Sequence, residues 1–151
     1  MTWKPHATVA VVVEQDGRFL MVEEHSDGRV VYNQPAGHIE QHESILNAAR
    51  RETLEETGWQ VEPTDFMGLY TFEAPNGATY YRLCFAAKAI EHISDTLDDD
   101  IIAAHWLSYD EICERRQELR SPLVINCIDD YLAGKRYPLE IITDKIGMDA
   151  N

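Results

Sequence analysis

Arg51-Glu52-Thr53-Leu54-Glu55-Glu56-Thr57-Gly58 closes a stretch that reads as a helix over residues 44–57, with Gly58 in the position a helix C-cap favours. Its charges run against the helix dipole. Three carboxylates occupy the last turn and a half, where the dipole is negative and favours Lys or Arg. Glu52 lies three residues before Glu55 and four before Glu56, so all three share one side. Each like-charged pair then costs on the order of 0.2–0.5 kcal/mol without a cation. Arg51 reaches Glu55 at i+4 and offsets part of this, but one cation does not balance three anions. At 100° per residue, with Ile45 at zero, Ala49 falls at about 40°, Glu52 at about 340° and Glu56 at about 20°. The acidic stripe therefore continues the apolar stripe that faces the rest of the fold, whereas solvated glutamates would lie opposite it. Half-buried carboxylates need a partner, and a hard divalent cation bound through oxygen supplies one.

Outward from this helix the pattern changes to strands. Residues 7–13 form a valine-rich run that reads as a buried strand, and Asp16-Gly17 turns it into a partner over residues 18–24. Asp27-Gly28 leads to a short strand over 29–32. Residues 33–38, Asn-Gln-Pro-Ala-Gly-His, are too rich in breakers to be regular. Beyond Gly58, strands are expected over 65–73 and 79–90 around the hairpin dipeptide Asn76-Gly77, and over 101–107. Ser108-x-x-Glu111 has the spacing of a capping box and opens a helix. Pro122 opens another that Gly134 closes. The tail from residue 135 has no clear assignment. This order predicts an α/β (α+β) fold in which a mixed sheet is sandwiched between helices.

The chain of 151 residues is one domain's worth, 1–151, with 26% charged and 44% hydrophobic residues, an ordinary globular mixture. No apolar run approaches ~18 residues and the first residues lack the apolar core of a signal peptide, so the expected setting is the cytoplasm, without membrane contact. Cys84, Cys113 and Cys127 form no Cys-x-x-Cys pair and read as three reduced, buried thiols. The net charge of −14 repels polyanions and argues against stable nucleic-acid binding. A small phosphorylated ligand remains compatible if cations stand between it and the carboxylates.

The spacing Gly37, five residues, Glu43, seven residues, Arg51-Glu52-x-x-Glu55-Glu56-x-Gly58 resembles the Nudix box, with Thr53 and Trp59 departing at two packing positions. The likeness continues at Lys4–Ala10, Tyr32–His38 and Leu119–Val124, which resemble a bacterial phosphatase branch of that family over roughly residues 3–133. The resemblance implies Mg²⁺-dependent hydrolysis, with Mn²⁺ as a substitute, of nucleoside tri- and diphosphates and of the hydroxymethylpyrimidine diphosphate of thiamine biosynthesis, releasing orthophosphate, by a monomer. It implies that Glu52, Glu55 and Glu56 hold the metal with the Gly37 carbonyl, or that one of them, Glu52 first, orients or deprotonates the attacking water. Arg51 then orients a ligand carboxylate and Glu43 ties down the loop leading into the helix, as structural box positions with Gly58. Asp100, six residues before Trp106, is a candidate additional ligand or base, or part of a solvated acidic turn. Lys4, Arg29 and Arg82 are the candidate phosphate contacts. His38 either bonds a phosphate or shapes its loop. Tyr32, Phe72 and Tyr80 either stack on a base or belong to the core. The alternatives are a pyrophosphohydrolase acting on a nucleotide sugar, a dinucleotide or an RNA 5′ end, and a nucleotide-sensing module without turnover. The intact set of glutamates favours an enzyme.

Overall fold

The computed structural model describes residues 2–146. The domain expected over 1–151 therefore includes residue 1 and residues 147–151, which lie outside the described residues. The elements in chain order are β1 (His6–Gln15), β2 (Arg18–Ser26), β3 (Arg29–Asn33), β4 (Ala36–His38), α1 (Ile45–Thr57), β5 (Trp59–Glu73), β6 (Thr79–His92), β7 (Ile101–Ser108), α2 (Tyr109–Glu114) and α3 (Pro122–Leu132). Short 3₁₀ turns follow at Arg116–Glu118 and Leu139–Ile141.

Seven strands form one mixed sheet centred on β1. On one side β1 runs antiparallel to β4, with Val9 opposite Gly37; on the other it runs parallel to β6, with Val9 opposite Leu83. β2 leaves β1 just beyond the hairpin, after Glu14 opposite Phe19, and continues between β3 and β7. Helices cover both faces, as expected. Val9, Val11 and Val13 pack in one cluster with Ala48 and Ala49 of α1. Ala10 and Val12 pack in the other with Val124, Cys127 and Ile128 of α3. A strand covered on both faces is apolar at every position, which explains the unbroken valine run.

The differences from expectation have local causes. Residues 36–38 are a strand, because the edge of β1 offers free backbone groups: Val11 N–H donates to the Pro35 carbonyl at 3.0 Å and Ile39 N–H to Ala7 at 3.0 Å. β5 begins at Trp59, six residues earlier than expected, and runs through Pro63. It is an edge strand with register shifts around that proline, so the missing N–H costs no ladder bond. The unassigned tail returns to it: Phe66 and Tyr137 exchange two backbone bonds of 2.9 and 2.8 Å. Cys84 and Cys127 are buried as expected, but Cys113 on the short helix α2 is half-exposed. The departures Thr53 and Trp59 are both accommodated. The buried Thr53 hydroxyl donates to the Ala49 carbonyl at 2.8 Å, and Trp59 meets Trp106 edge-to-face at 5.4 Å.

Phe85, fully buried against Phe66 beneath α1, tests this packing. Phe85→Ala should lower unfolding stability by about 3–5 kcal/mol, measured by urea denaturation, with the m-value unchanged.

Candidate active site

α1 is fixed at both ends by local chemistry. The Ser44 side chain accepts from Asn47 N–H at 3.2 Å, and Gly58 ends the helix in the left-handed region at φ 78°. A Cβ at Gly58 would lie 1.8 Å from the Ser94 carbonyl oxygen, so this position requires glycine twice over. Between these ends Glu52 and Glu56 are buried and Glu55 is half-exposed, in line with the helical angles.

Arg51 organises the acidic groups. Its Nε and Nη2 donate to the two oxygens of Glu43 at 2.5 and 3.0 Å. Its Nη1 donates to Glu52 at 2.9 Å and Glu55 at 3.1 Å, and Nη2 also donates to the His38 carbonyl at 3.0 Å. Glu43 in turn accepts from Glu40 N–H at 3.0 Å. The bond from Arg51 holds the Glu43 carboxyl below the usual range, despite partial burial. Both residues thus brace the loop that brings Gly37 to the helix.

One oxygen each from Glu52, Glu55 and Asp98 lie within 4.8 Å of one another. Gly37 gives this cluster its room: a Cβ there would lie 2.2 Å from the Glu52 carboxyl carbon and 2.4 Å from either oxygen. An all-oxygen donor set in a cradle that a single methyl would fill suits a hard divalent cation. Behind it, Glu56 accepts from Ala36 N–H at 2.8 Å. Burial pushes the Glu56 carboxyl from its ordinary 4.5 up to about 9, with the charges of Glu24 and Glu52 adding and the Ala36 bond opposing. Burial also raises Glu52, against the pull of Arg51.

Asp98 supplies the third oxygen of the cluster, where the sequence reading expected Glu56 and offered Asp100 only as an additional ligand or base. Asp98 N–H caps the helix by donating to the Glu55 carbonyl at 3.0 Å, which draws it onto the acidic face. Asp100 is exposed, and its carbonyl accepts from His25 N–H at 2.9 Å. The only hint of Asp98 in the sequence is the triplet 98–100, whose members a linear reading does not rank.

Beside the carboxylates, on the α3 side of the sheet, opens a cleft of about 870 Å³. Gly37 and His38 lie on its rim, and Arg29, Arg82, Arg116 and Arg120 line it. Three of the expected contacts are thus brought together: Arg29, His38 and Arg82. Lys4 is exposed and does not line the cleft. Arg82 is 7% exposed, and its guanidinium donates to two amide oxygens, Gln34 at 3.0 Å and Asn33 at 3.2 Å. Phe72 and Tyr80 line the cleft, whereas Tyr32 packs against the α3-side core with Arg115 over its ring at 5.5 Å. His38 Nε2 lies 2.7 Å from His6 Nδ1, and His6 stacks on Tyr80 at 4.7 Å. Burial, then the neighbouring His6, lowers the His38 pKa. The sequence reading missed Glu24, Asp98, Arg116 and Arg120. Arg120 had a signal, since it sits in a segment already noted for its likeness.

A model of the NUDIX domain matches residues 4–126. The phosphatase NudJ of Escherichia coli K12 is 44% identical over 144 residues, covering 94% of this chain and 93% of the relative. NudJ of Shigella flexneri is similar to the same extent. A solved NUDIX hydrolase from Nitrosomonas europaea superposes with a TM-score of 0.90 at 47% identity, covering 93% of this chain and 97% of the other. A MutT NUDIX hydrolase from Burkholderia pseudomallei shares the fold, with a TM-score of 0.73 at 20% identity over 85% of this chain and 98% of its own.

Two predictions follow from the geometry. Gly37→Ala should leave the unfolding midpoint nearly unchanged, because the clash is with the end of a flexible side chain, yet lower divalent-cation affinity by about 10–100-fold in calorimetric titration. The second concerns pH in the presence of a chelator. Because folding raises the Glu56 pKa from 4.5 to about 9, its stabilising contribution is complete below pH 4.5 and is lost as pH climbs toward about 9. Thermal melts should show stability falling across that window, by up to about 1.4 kcal/mol per pH unit, and Glu56→Gln should flatten the fall.

Proposed function

The chain belongs to the NUDIX family of hydrolases, and on that premise we propose that it releases orthophosphate from nucleoside tri- and diphosphates and from hydroxymethylpyrimidine diphosphate. The observation that carries this reading is where the segments resembling NudJ outside the box are found. Asn33 and Gln34 hold the buried Arg82, and Arg120, Ser121 and Pro122 line the cleft. A likeness confined to generic phosphate chemistry would have no reason to include these positions. The proposed enzyme is a single-domain monomer of the cytoplasm that takes small phosphorylated nucleotides or pyrimidines as substrates.

In this reading Glu52, Glu55 and Asp98 hold Mg²⁺, or Mn²⁺ in its place, with Glu56 and the Gly37 carbonyl completing the donor set. When bound, the cation neutralises phosphate oxygens and lowers the pKa of coordinated water. The chain's own groups do the rest. Arg51 fixes the rotamers of Glu52 and Glu55 from behind. In the alternative assignment Glu52 leaves the cation to the other carboxylates and, with its pKa raised by burial, takes the proton of the attacking water, or Asp100 does so. Arg82 and Arg29 draw the phosphate chain into the cleft with His38 at its rim. Phe72 and Tyr80 offer their faces to the base.

Turnover of ATP, ADP and hydroxymethylpyrimidine diphosphate in water labelled with heavy oxygen tests the reading. Orthophosphate should be the first product from each, carrying the label, and chelation should abolish turnover. Glu56→Gln should lower kcat by at least ~10²-fold. Pyrophosphate as the initial product from ATP, with ADP untouched, would overturn the terminal-phosphatase reading.

A further inference from the structure

Arg120 differs from the other arginines of the cleft. Its backbone N–H donates to the Tyr32 carbonyl at 2.9 Å, and the next residue, Ser121, caps α3, so its Cα is anchored from two directions. Its Nη1 donates to Glu24 Oε1 in an ion pair whose carboxylate side is 6% exposed and whose arginine side is 45% exposed. A guanidinium has five N–H donors, and this contact uses one. The rest of the head is free toward the cleft, which Arg120 lines.

Glu24 lies on β2 at a register shift against β7. It is near enough to Asp100, Glu56, Arg120 and Arg82 to feel their charges, and its partner Arg120 lines the cleft, which puts it at the seam between the carboxylate cluster and the cleft. Its Oε2 is the one buried side-chain polar atom without a partner among the described residues. Among the described residues Arg120 therefore supplies the only side-chain hydrogen bond this buried carboxylate receives, and the carboxylate in return fixes where the guanidinium points.

We propose that Arg120, positioned by the buried carboxylate of Glu24, selects substrates that end in a free phosphate. This deepens the function proposed above and rests on it. A terminal phosphate has three non-bridging oxygens and a charge approaching −2, since its second pKa is about 6. A phosphate esterified on both sides has two such oxygens and a single charge. Arg82 and Arg29, in the reading above, serve both kinds alike. A further planar fork at the seam, with donors to spare, is matched to the additional oxygen and charge of the first. Glu24 is a positioning residue here, because it acts through Arg120.

The test compares ADP, which has a free terminal phosphate, with ADP-ribose, in which both phosphates are esterified. Steady-state kinetics with Mg²⁺ are paired with calorimetric binding of the same two ligands in Ca²⁺. Arg120→Lys should raise the KM and Kd for ADP at least ~10-fold, the loss expected for a charge-assisted fork, while kcat and ADP-ribose binding change by less than ~3-fold. Glu24→Gln should produce a smaller rise in the same direction. Arg120→Ala strands a buried carboxylate and risks the fold, so Glu24→Gln/Arg120→Ala, which removes both charges, serves as the deletion. It should match Arg120→Lys or exceed it for ADP and still spare ADP-ribose. Equal losses on both ligands, or unchanged ADP affinity in Arg120→Lys and in the double variant, would overturn the assignment. Wild-type turnover of ADP-ribose in preference to ADP would overturn the terminal-phosphatase reading instead. The binding arm would then still decide whether Arg120 discriminates.

Discussion

The structure of the site depends on how one cation is shared. Around the C-terminal half of α1 the chain gathers Glu43, Glu52 and Glu55, which would repel one another and the helix dipole if left alone. Arg51 reaches all three and the His38 carbonyl. Only a planar guanidinium has donors enough, in a fixed fork, to bond four partners from one side chain. These bonds raise the Arg51 pKa, the bond to Glu43 first, so the charge is permanent. Because His38 ends β4, Glu43 lies on the loop that follows and Glu52 and Glu55 lie on α1 itself, the same bonds clamp strand and loop to helix. That clamp lets Gly37 approach Glu52 so closely that no Cβ fits between them.

Arg82 provides the contrast. Arg51 is surrounded by carboxylates and has no charge left to offer a ligand. Arg82 is more deeply buried, yet its partners Asn33 and Gln34 bring no charge. These bonds fix the guanidinium while its positive charge is only distantly opposed, and burial reduces screening by salt. Gln34 is itself tied to the Val124 carbonyl at 2.5 Å, so the cradle is anchored on α3. A protein of net charge −14 thus keeps a cationic surface where an anion must enter. Arg29, Arg116 and Arg120 extend it along the cleft, which contains a single carboxylate, Asp27.

What the sequence revealed follows the range of the forces involved. Helix α1, its C-cap and its acidic stripe rest on contacts within four residues, and all were legible. The run over 7–13 was legible because a strand covered on both faces has only one kind of pattern. Strand β4 was not: three residues become a strand only because β1 leaves an unpaired edge beside them, and that edge belongs to a distant part of the chain. Asp98 was hidden among three consecutive aspartates, and only the carbonyl of Glu55 selects it. Glu24 was hidden differently, as the second of two consecutive glutamates after an apolar run, whose partner, Arg120, lies 96 residues away.

The central strand also explains how chemistry on one face meets recognition on the other. β1 faces α1 through Val9, Val11 and Val13 and faces α3 through Ala10 and Val12, so the carboxylates and the cleft lie on opposite sides of it. A full-length neighbour of β1 would wall them apart. β4 is three residues long, and its middle residue is Gly37. At that point the sheet is one backbone thick with no side chain on the α1 side, and Glu52 fills the space. Across the register, His38, Thr8 and Arg82 stand in one row, which places Arg82 two strand spacings, about 10 Å, from β4. The Arg82 side chain covers much of that span by returning to Asn33 and Gln34, the residues just before β4. A short edge strand and a glycine thus bring a buried cation and the acidic cluster to the same opening without either crossing the core.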